Sequence, residues 1–135
     1  MNGFLSRLCI ALLWTLLVIV PGRCADALRI GLTLDLSGPY MELGLMHRRA
    51  YELWRDEVNL RGGIRGRMIE LVLVDDGGDA DRAVAIYNDL IKQQHVDLVL
   101  SPYSSEITTK IAPLVDREGY PMLAAGASSD RIWQQ

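Results

Sequence analysis

Apolar residues along this chain follow two alternating rhythms. Short runs at residues 28–34 (LRIGLTL), 68–74 (MIELVLV), 96–100 (VDLVL) and 122–125 read as strands. They end at Asp35, at Asp75-Asp76, at Ser101-Pro102 and at Gly126. Rich in Leu, Val and Ile, they have the character of parallel strands covered on both faces. Between them the apolar positions recur every three or four residues. In 43–59 the predicted stripe is Leu43, Met46, Ala50, Leu53, Trp54 and Val58, opposite Arg48, Arg49, Glu52 and Arg55, and Arg61-Gly62-Gly63 stops the helix. In 80–93 it is Ala83, Val84, Tyr87, Leu90 and Ile91, with Asp79 as N-cap. In 105–117 it is Ile107, Ile111, Leu114 and Val115, with Ser104 as cap and Pro113 predicted to kink or shorten the helix. Ser128 or Ser129 opens a further helix, and the chain reaches Gln135 soon after; the reading is an incomplete lobe. Strand and helix alternating in this order predict an α/β fold, an open doubly wound parallel sheet with right-handed crossovers.

The N-terminus follows neither rhythm. Residues 1–7 carry one basic residue and no acid, and 8–20 (LCIALLWTLLVIV) is uncharged. Thirteen helical residues rise about 20 Å, short of a hydrocarbon core of about 30 Å. Residues 1–27 therefore read as a signal peptide cleaved after Ala25-Asp26-Ala27, which makes the mature domain 28–135 and its location the periplasm. Arg23, where lipidation of Cys24 needs a small residue, argues against a lipoprotein anchor. Both cysteines, Cys9 and Cys24, leave with this segment, and with them any disulfide or thiol chemistry. The remainder holds 12 basic against 16 acidic residues without a basic cluster, which argues against a nucleic-acid partner.

Ligands of open α/β sheets bind beyond the carboxyl ends of the strands, where strand order reverses. With the order 2-1-3-4 that crevice lies between the loops Leu36-Ser37-Gly38-Pro39-Tyr40 and Pro102-Tyr103-Ser104-Ser105, with Gly126-Ala127-Ser128-Ser129 beside the second. All three are small, polar and uncharged. Two lead into helix N-termini, whose unpaired N–H groups and partial positive charge favour a carboxylate. Serine hydroxyls both donate and accept, so they suit either end of an amino acid. The plainer reading is that Ser104, Ser105, Ser128 and Ser129 only cap helices.

Other chemistry finds little support. Residues 75–81 (DDGGDAD) lack calcium-loop spacing, and Asp79 reads as a cap, so no metal is expected. A phosphoacceptor receiver domain would place an acid after the third strand, where Ser101-Pro102 stands. Gly62-Gly63-Ile64-Arg65-Gly66 precedes a strand, unlike a dinucleotide loop. No G-x-S-x-G, H-E-x-x-H, C-x-x-C or Walker motif occurs. His47 and His95 read as surface or packing residues, and Trp54 and Trp133 as helix packing. No enzyme and no cofactor are expected.

Residues 28–44 (LRIGLTLDLSGPYMELG) resemble the opening strand and loop of the leucine/isoleucine/valine-binding family of periplasmic proteins. Residues 59–70 (NLRGGIRGRMIE), 73–83 (LVDDGGDADRA) and 101–129 continue the likeness in order. The resemblance implies the N-terminal part of a type I periplasmic-binding-protein lobe, one of two hinged lobes that close on an amino acid and deliver it to an inner-membrane ABC permease. It implies ligand contacts at Ser105 and at Gly126-Ala127-Ser128, with Ser104 and Tyr40 alongside. Leu43 stands where some members carry an aromatic cover, and Ser104 where some carry a cysteine. The second lobe, source of most side-chain selectivity in the family, has no counterpart in 28–135. A ligand-sensing extracellular module or a non-functional fragment are the alternatives.

Overall fold

The computed structural model describes residues 26–134. The expected signal peptide, including Cys9 and Cys24, lies outside them except for Asp26 and Ala27. Strands β1 (Leu28–Leu34), β2 (Ile69–Asp75), β3 (Leu98–Leu100) and β4 (Met122–Leu123) alternate with helices α1 (Met41–Leu60), α2 (Ala80–Lys92) and α3 (Ser105–Arg117). A 3₁₀ turn at Asp130–Ile132 follows. The sheet is parallel in the order β2-β1-β3-β4, as the sequence predicts. β1 pairs along its whole length with β2, Leu28 opposite Ile69 and Leu34 opposite Asp75, and through Ile30 and Gly31 with Leu98 and Val99.

Alternation along β1 divides the core. Ile30, Leu32 and Leu34 join Ile69 and Leu100 beneath Tyr51 and Val58 of α1. The opposite face packs Val99 against Tyr87, Leu90 and Ile91 of α2 and Ile107, Ile111, Leu114 and Val115 of α3. The stripes expected for α2 and α3 are therefore the faces they bury, with Val84 half-buried. Asp79 caps α2 as predicted, accepting from the N–H of Asp81 at 2.8 Å and Arg82 at 2.9 Å.

Three expectations need correction. Gly44, absent from the predicted stripe, is the buried residue of α1, whereas Met46 (63% exposed), Leu53 (62%) and Trp54 face solvent. The helix is turned because Gly44 lies against the Asp35 carbonyl, an approach that fixes its rotation. Pro113 does not shorten α3, which runs to Arg117. Its ring is exposed, so the Thr109 carbonyl it leaves without an N–H partner lies on the solvent side. The segment after Ser129 is one 3₁₀ turn, and Trp133 is exposed rather than packed.

The Arg67 guanidinium donates at 2.8 Å to the carbonyls of Asp26 and Ala27, the last residues of the expected signal peptide, contacts that cleavage after Ala27 would remove. It also donates to both carboxylate oxygens of Asp97 at 2.8 Å, while the Arg29 N–H donates to Asp97 at 2.8 Å. Partial burial pushes the Asp97 carboxyl up, but these donors outweigh it and hold its pKa below the ordinary value. A carboxyl with a depressed folded-state pKa stabilises the fold above its unfolded pKa, about 3.9, and loses that contribution as pH falls through the folded value. The urea midpoint of wild type relative to Asp97→Asn is thus expected to be constant from pH 5 to 7 and to shrink below about pH 4. A difference that does not change with pH would refute this.

Candidate functional site

The carboxyl ends of β1 and β3 open onto the rim predicted to hold the site. After β1 the chain is held by Asp35, fully buried, whose carboxylate accepts from the N–H groups of Ser37 (3.2 Å), Gly38 (2.5 Å) and Tyr40 (2.7 Å). Asp75 at the end of β2 accepts from the Leu36 N–H (2.8 Å), the Ser37 hydroxyl (2.6 Å) and the Gly77 N–H (2.9 Å). Burial raises the Asp75 pKa, but these donors prevail and lower it. Asp76 accepts from the Gly78 N–H at 2.9 Å, and burial pushes its carboxyl up. The acids of this region thus hold loop backbone together. Among the described residues no group of three or more His, Cys, Asp or Glu is placed to hold a metal ion.

After β3, buried Ser101 and Pro102 lead to Tyr103 and the start of α3. The expected cap at Ser104 is not made by its side chain, which forms no capping bond. Its carbonyl accepts instead, from both the N–H and the hydroxyl of Thr108 at 2.9 Å. The same hydroxyl lies 3.1 Å from the Pro102 carbonyl and shares its one proton between the two acceptors, so a buried threonine ties the turn to the helix from within. Ser104 is left half-buried at the rim, its hydroxyl not consumed by the helix end.

Ser105, the first residue of α3, connects the two turns. Its Oγ accepts from the Ser128 N–H at 3.0 Å, joining the N-terminus of α3 to the turn after β4. The Gly126 N–H approaches the Ser101 hydroxyl at 3.5 Å, a weaker link between the same two segments. Ser129, by contrast, serves the plainer role of a cap, accepting from the Arg131 N–H at 3.4 Å. Of the six residues expected at the site, Ser104, Ser105, Gly126, Ala127 and Ser128 are gathered on adjoining turns of one rim. Tyr40 reaches them through Tyr103, the two rings meeting edge to face with centroids 5.6 Å apart.

Two more residues stand at this rim: Tyr103, whose loop was expected here although it was not named as a ligand contact, and His47, which was expected to be a surface or packing residue. Tyr103 is the centre of a ring cluster, 5.5 Å from His47 as well as 5.6 Å from Tyr40. His47 lies on α1, and a Cβ placed on Gly126 would stand 3.4 Å from its Nε2. The sequence held one signal for His47: it lies seven residues, about two helical turns, beyond Tyr40, the residue that precedes α1.

Comparison with known proteins follows the same geometry. Residues 27–134 match a family model described as periplasmic binding protein. The leucine-, isoleucine-, valine-, threonine-, and alanine-binding protein of Pseudomonas aeruginosa is 29% identical over 108 residues, covering 80% of this chain and 29% of that protein. Among solved structures, the branched-chain amino acid transporter substrate binding protein of Streptococcus pneumoniae, in complex with isoleucine, matches with a TM-score of 0.75 at 27% identity. That match covers 80% of this chain and 31% of the other. A solute binding protein of an ABC transporter from R. palustris, in complex with benzoate, matches with a TM-score of 0.69 at 31% identity, over 78% of this chain and 29% of its own. The chain spans less than a third of the length of these proteins.

Proposed function

The chain belongs to the periplasmic binding protein family, and from that premise we propose that it is the N-terminal lobe of an extracytoplasmic solute-binding protein serving an ABC importer. The relatives named above are described as binding proteins, for amino acids or in complex with isoleucine or benzoate, and none is described as an enzyme. The ligand proposed here is accordingly a small carboxylate, an amino acid or a close analogue. Its carboxylate lies at the N-terminus of α3 and the turn after β4. Ser105 and Ser128 contribute hydroxyls, Ala127 its backbone N–H and Ser128 its carbonyl, the Ser128 N–H being held by Ser105 Oγ, and Ser104 and Tyr40 border them. An inner-membrane permease is the partner that this role requires, and residues 1–27 are the export signal.

One observation carries the reading: the 3.0 Å bond from the Ser128 N–H to Ser105 Oγ. It holds two uncharged turns side by side at a helix N-terminus, where N–H groups and the helix dipole favour an anion without a cationic side chain. A hydrogen bond to a charged group contributes about 1.5–3 kcal/mol, or about ten- to 150-fold in affinity. Titration calorimetry of the full-length gene product against amino acids and small carboxylates is expected to give saturable binding. Ser105→Ala is expected to weaken it at least about tenfold with little change in melting temperature. Absence of binding to every member of the panel would overturn the proposal.

A further inference from the structure

The ring cluster beside the serine pair bears on which ligand is bound. Tyr103 stands edge-on to Tyr40, with an interplanar angle of 68°, and tilted by 43° against His47. His47 Nδ1 lies 2.8 Å from the Leu43 carbonyl, which can only accept, so Nδ1 carries the proton. In the tautomer with the proton on Nδ1 the lone pair lies on Nε2, the atom facing Gly126. A Cβ at Gly126 would also stand 3.6 Å from Tyr103 Cα, so the bare glycine lies against both residues. Gly126 thus lies against His47 and the Tyr103 backbone, two residues before Ser128, so two kinds of chemistry stand close together. One is the hydroxyl and amide pair of Ser105 and Ser128; the other is the ring cluster of Tyr103, Tyr40 and His47, a wall that carries two phenols and one imidazole.

Building on the binding reading above, we infer that the ligand's far end packs on Tyr103 and His47 and is an aromatic ring. The ligand class is then an aromatic carboxylate or aromatic amino acid, in preference to a branched aliphatic one. An aliphatic group gains from this wall only by burial of area. A ring gains in addition the edge-to-face attraction between aromatic groups, a factor of about two to ten in affinity. A hydroxyl on that ring can donate to His47 Nε2.

The test is calorimetric titration of the full-length gene product with phenylalanine, tyrosine and 4-hydroxybenzoate against leucine, isoleucine and valine. The tightest aromatic ligand is expected to bind about two- to tenfold more tightly than the tightest aliphatic one. Tyr103→Leu is expected to bring the two classes level, and His47→Ala to abolish any advantage of a hydroxylated ring. Tyr40 is 41% exposed, so Tyr40→Leu supplies the same readout from a position that tolerates change if Tyr103→Leu fails to fold. Tighter binding of aliphatic ligands would overturn this inference and leave the binding function standing. Binding of neither class would overturn both. An aromatic preference undiminished in the ring variants would remove the wall from recognition and overturn the inference.

Discussion

Gly44→Ala is expected to destabilise the domain by about 4 kcal/mol or more, a large part of the 5–15 kcal/mol that typically separates folded from unfolded chains. The added Cβ would stand 1.8 Å from the Asp35 carbonyl oxygen and 2.8 Å from the carbonyl carbon. Overpacking against side chains typically costs about 1–3 kcal/mol because rotamers can shift. Here both opposing atoms are backbone, at the end of the central strand, so relief requires α1 to lift from the sheet. Gly66→Ala is the natural comparison, since no atom lies within 4 Å of a Cβ there and only the positive φ of 82° opposes it. Urea unfolding followed by circular dichroism should place Gly44→Ala far below Gly66→Ala. Equal midpoints would refute the claim that this contact sets the position of α1.

Asp35→Ala is expected to cost about 2–4 kcal/mol and to weaken ligand binding as well, whereas Asp35→Asn should cost roughly half as much. Alanine removes the acceptor of three N–H bonds at once and leaves a hole in a fully buried position. The figure is below three full desolvation penalties because Ser37 and Tyr40 are exposed enough for water to replace part of what is lost. Asparagine keeps one carbonyl acceptor but presents an N–H₂ where the carboxylate had its second oxygen. Amide hydrogen exchange should show the consequence locally, with Ser37, Gly38 and Tyr40 losing protection in Asp35→Ala. Because the Tyr40 N–H is one of the three, Tyr40 should also lose its fixed place against Tyr103. Unchanged protection at these amides would show that the loop is held by something other than Asp35.

Sequence patterning was sufficient wherever one physical effect dominated. The stripes of α2 and α3 have wide apolar faces and polar reverse sides, so burial alone sets their rotation. Asp79 is legible as a cap because a short carboxylate before an amphipathic run has few alternatives. The rim itself follows from strand order, which brings the loops after β1, β3 and β4 together whatever their side chains are. α1 was misread because its apolar residues spread over more than one face. The choice between faces was made by a single close backbone approach at Gly44, which hydrophobicity does not encode. Ser104 was misread for a related reason: cap preference describes what a serine can do, while a buried neighbour, Thr108, satisfied the turn instead. Strand order brings Tyr103 to the rim with its loop, whereas His47 lies on a helix 56 residues away, and only its packing beside Tyr103 and Gly126 gives it a place there.

The place of β1 has a consequence for how the protein is made. It is the first of the described strands to be synthesised, yet it lies inside the sheet, with β2 on one side and β3 on the other. Its second neighbour begins 68 residues downstream, Ile30 being opposite Leu98. At translation rates of about 5–20 residues per second, β1 waits on the order of 3–14 s for that neighbour to be added. For that interval its apolar residues and open hydrogen-bonding edge are available to any passing chain. Slowing elongation downstream of β2, for example with rare codons, should therefore lower the soluble yield more than the same delay placed after β3.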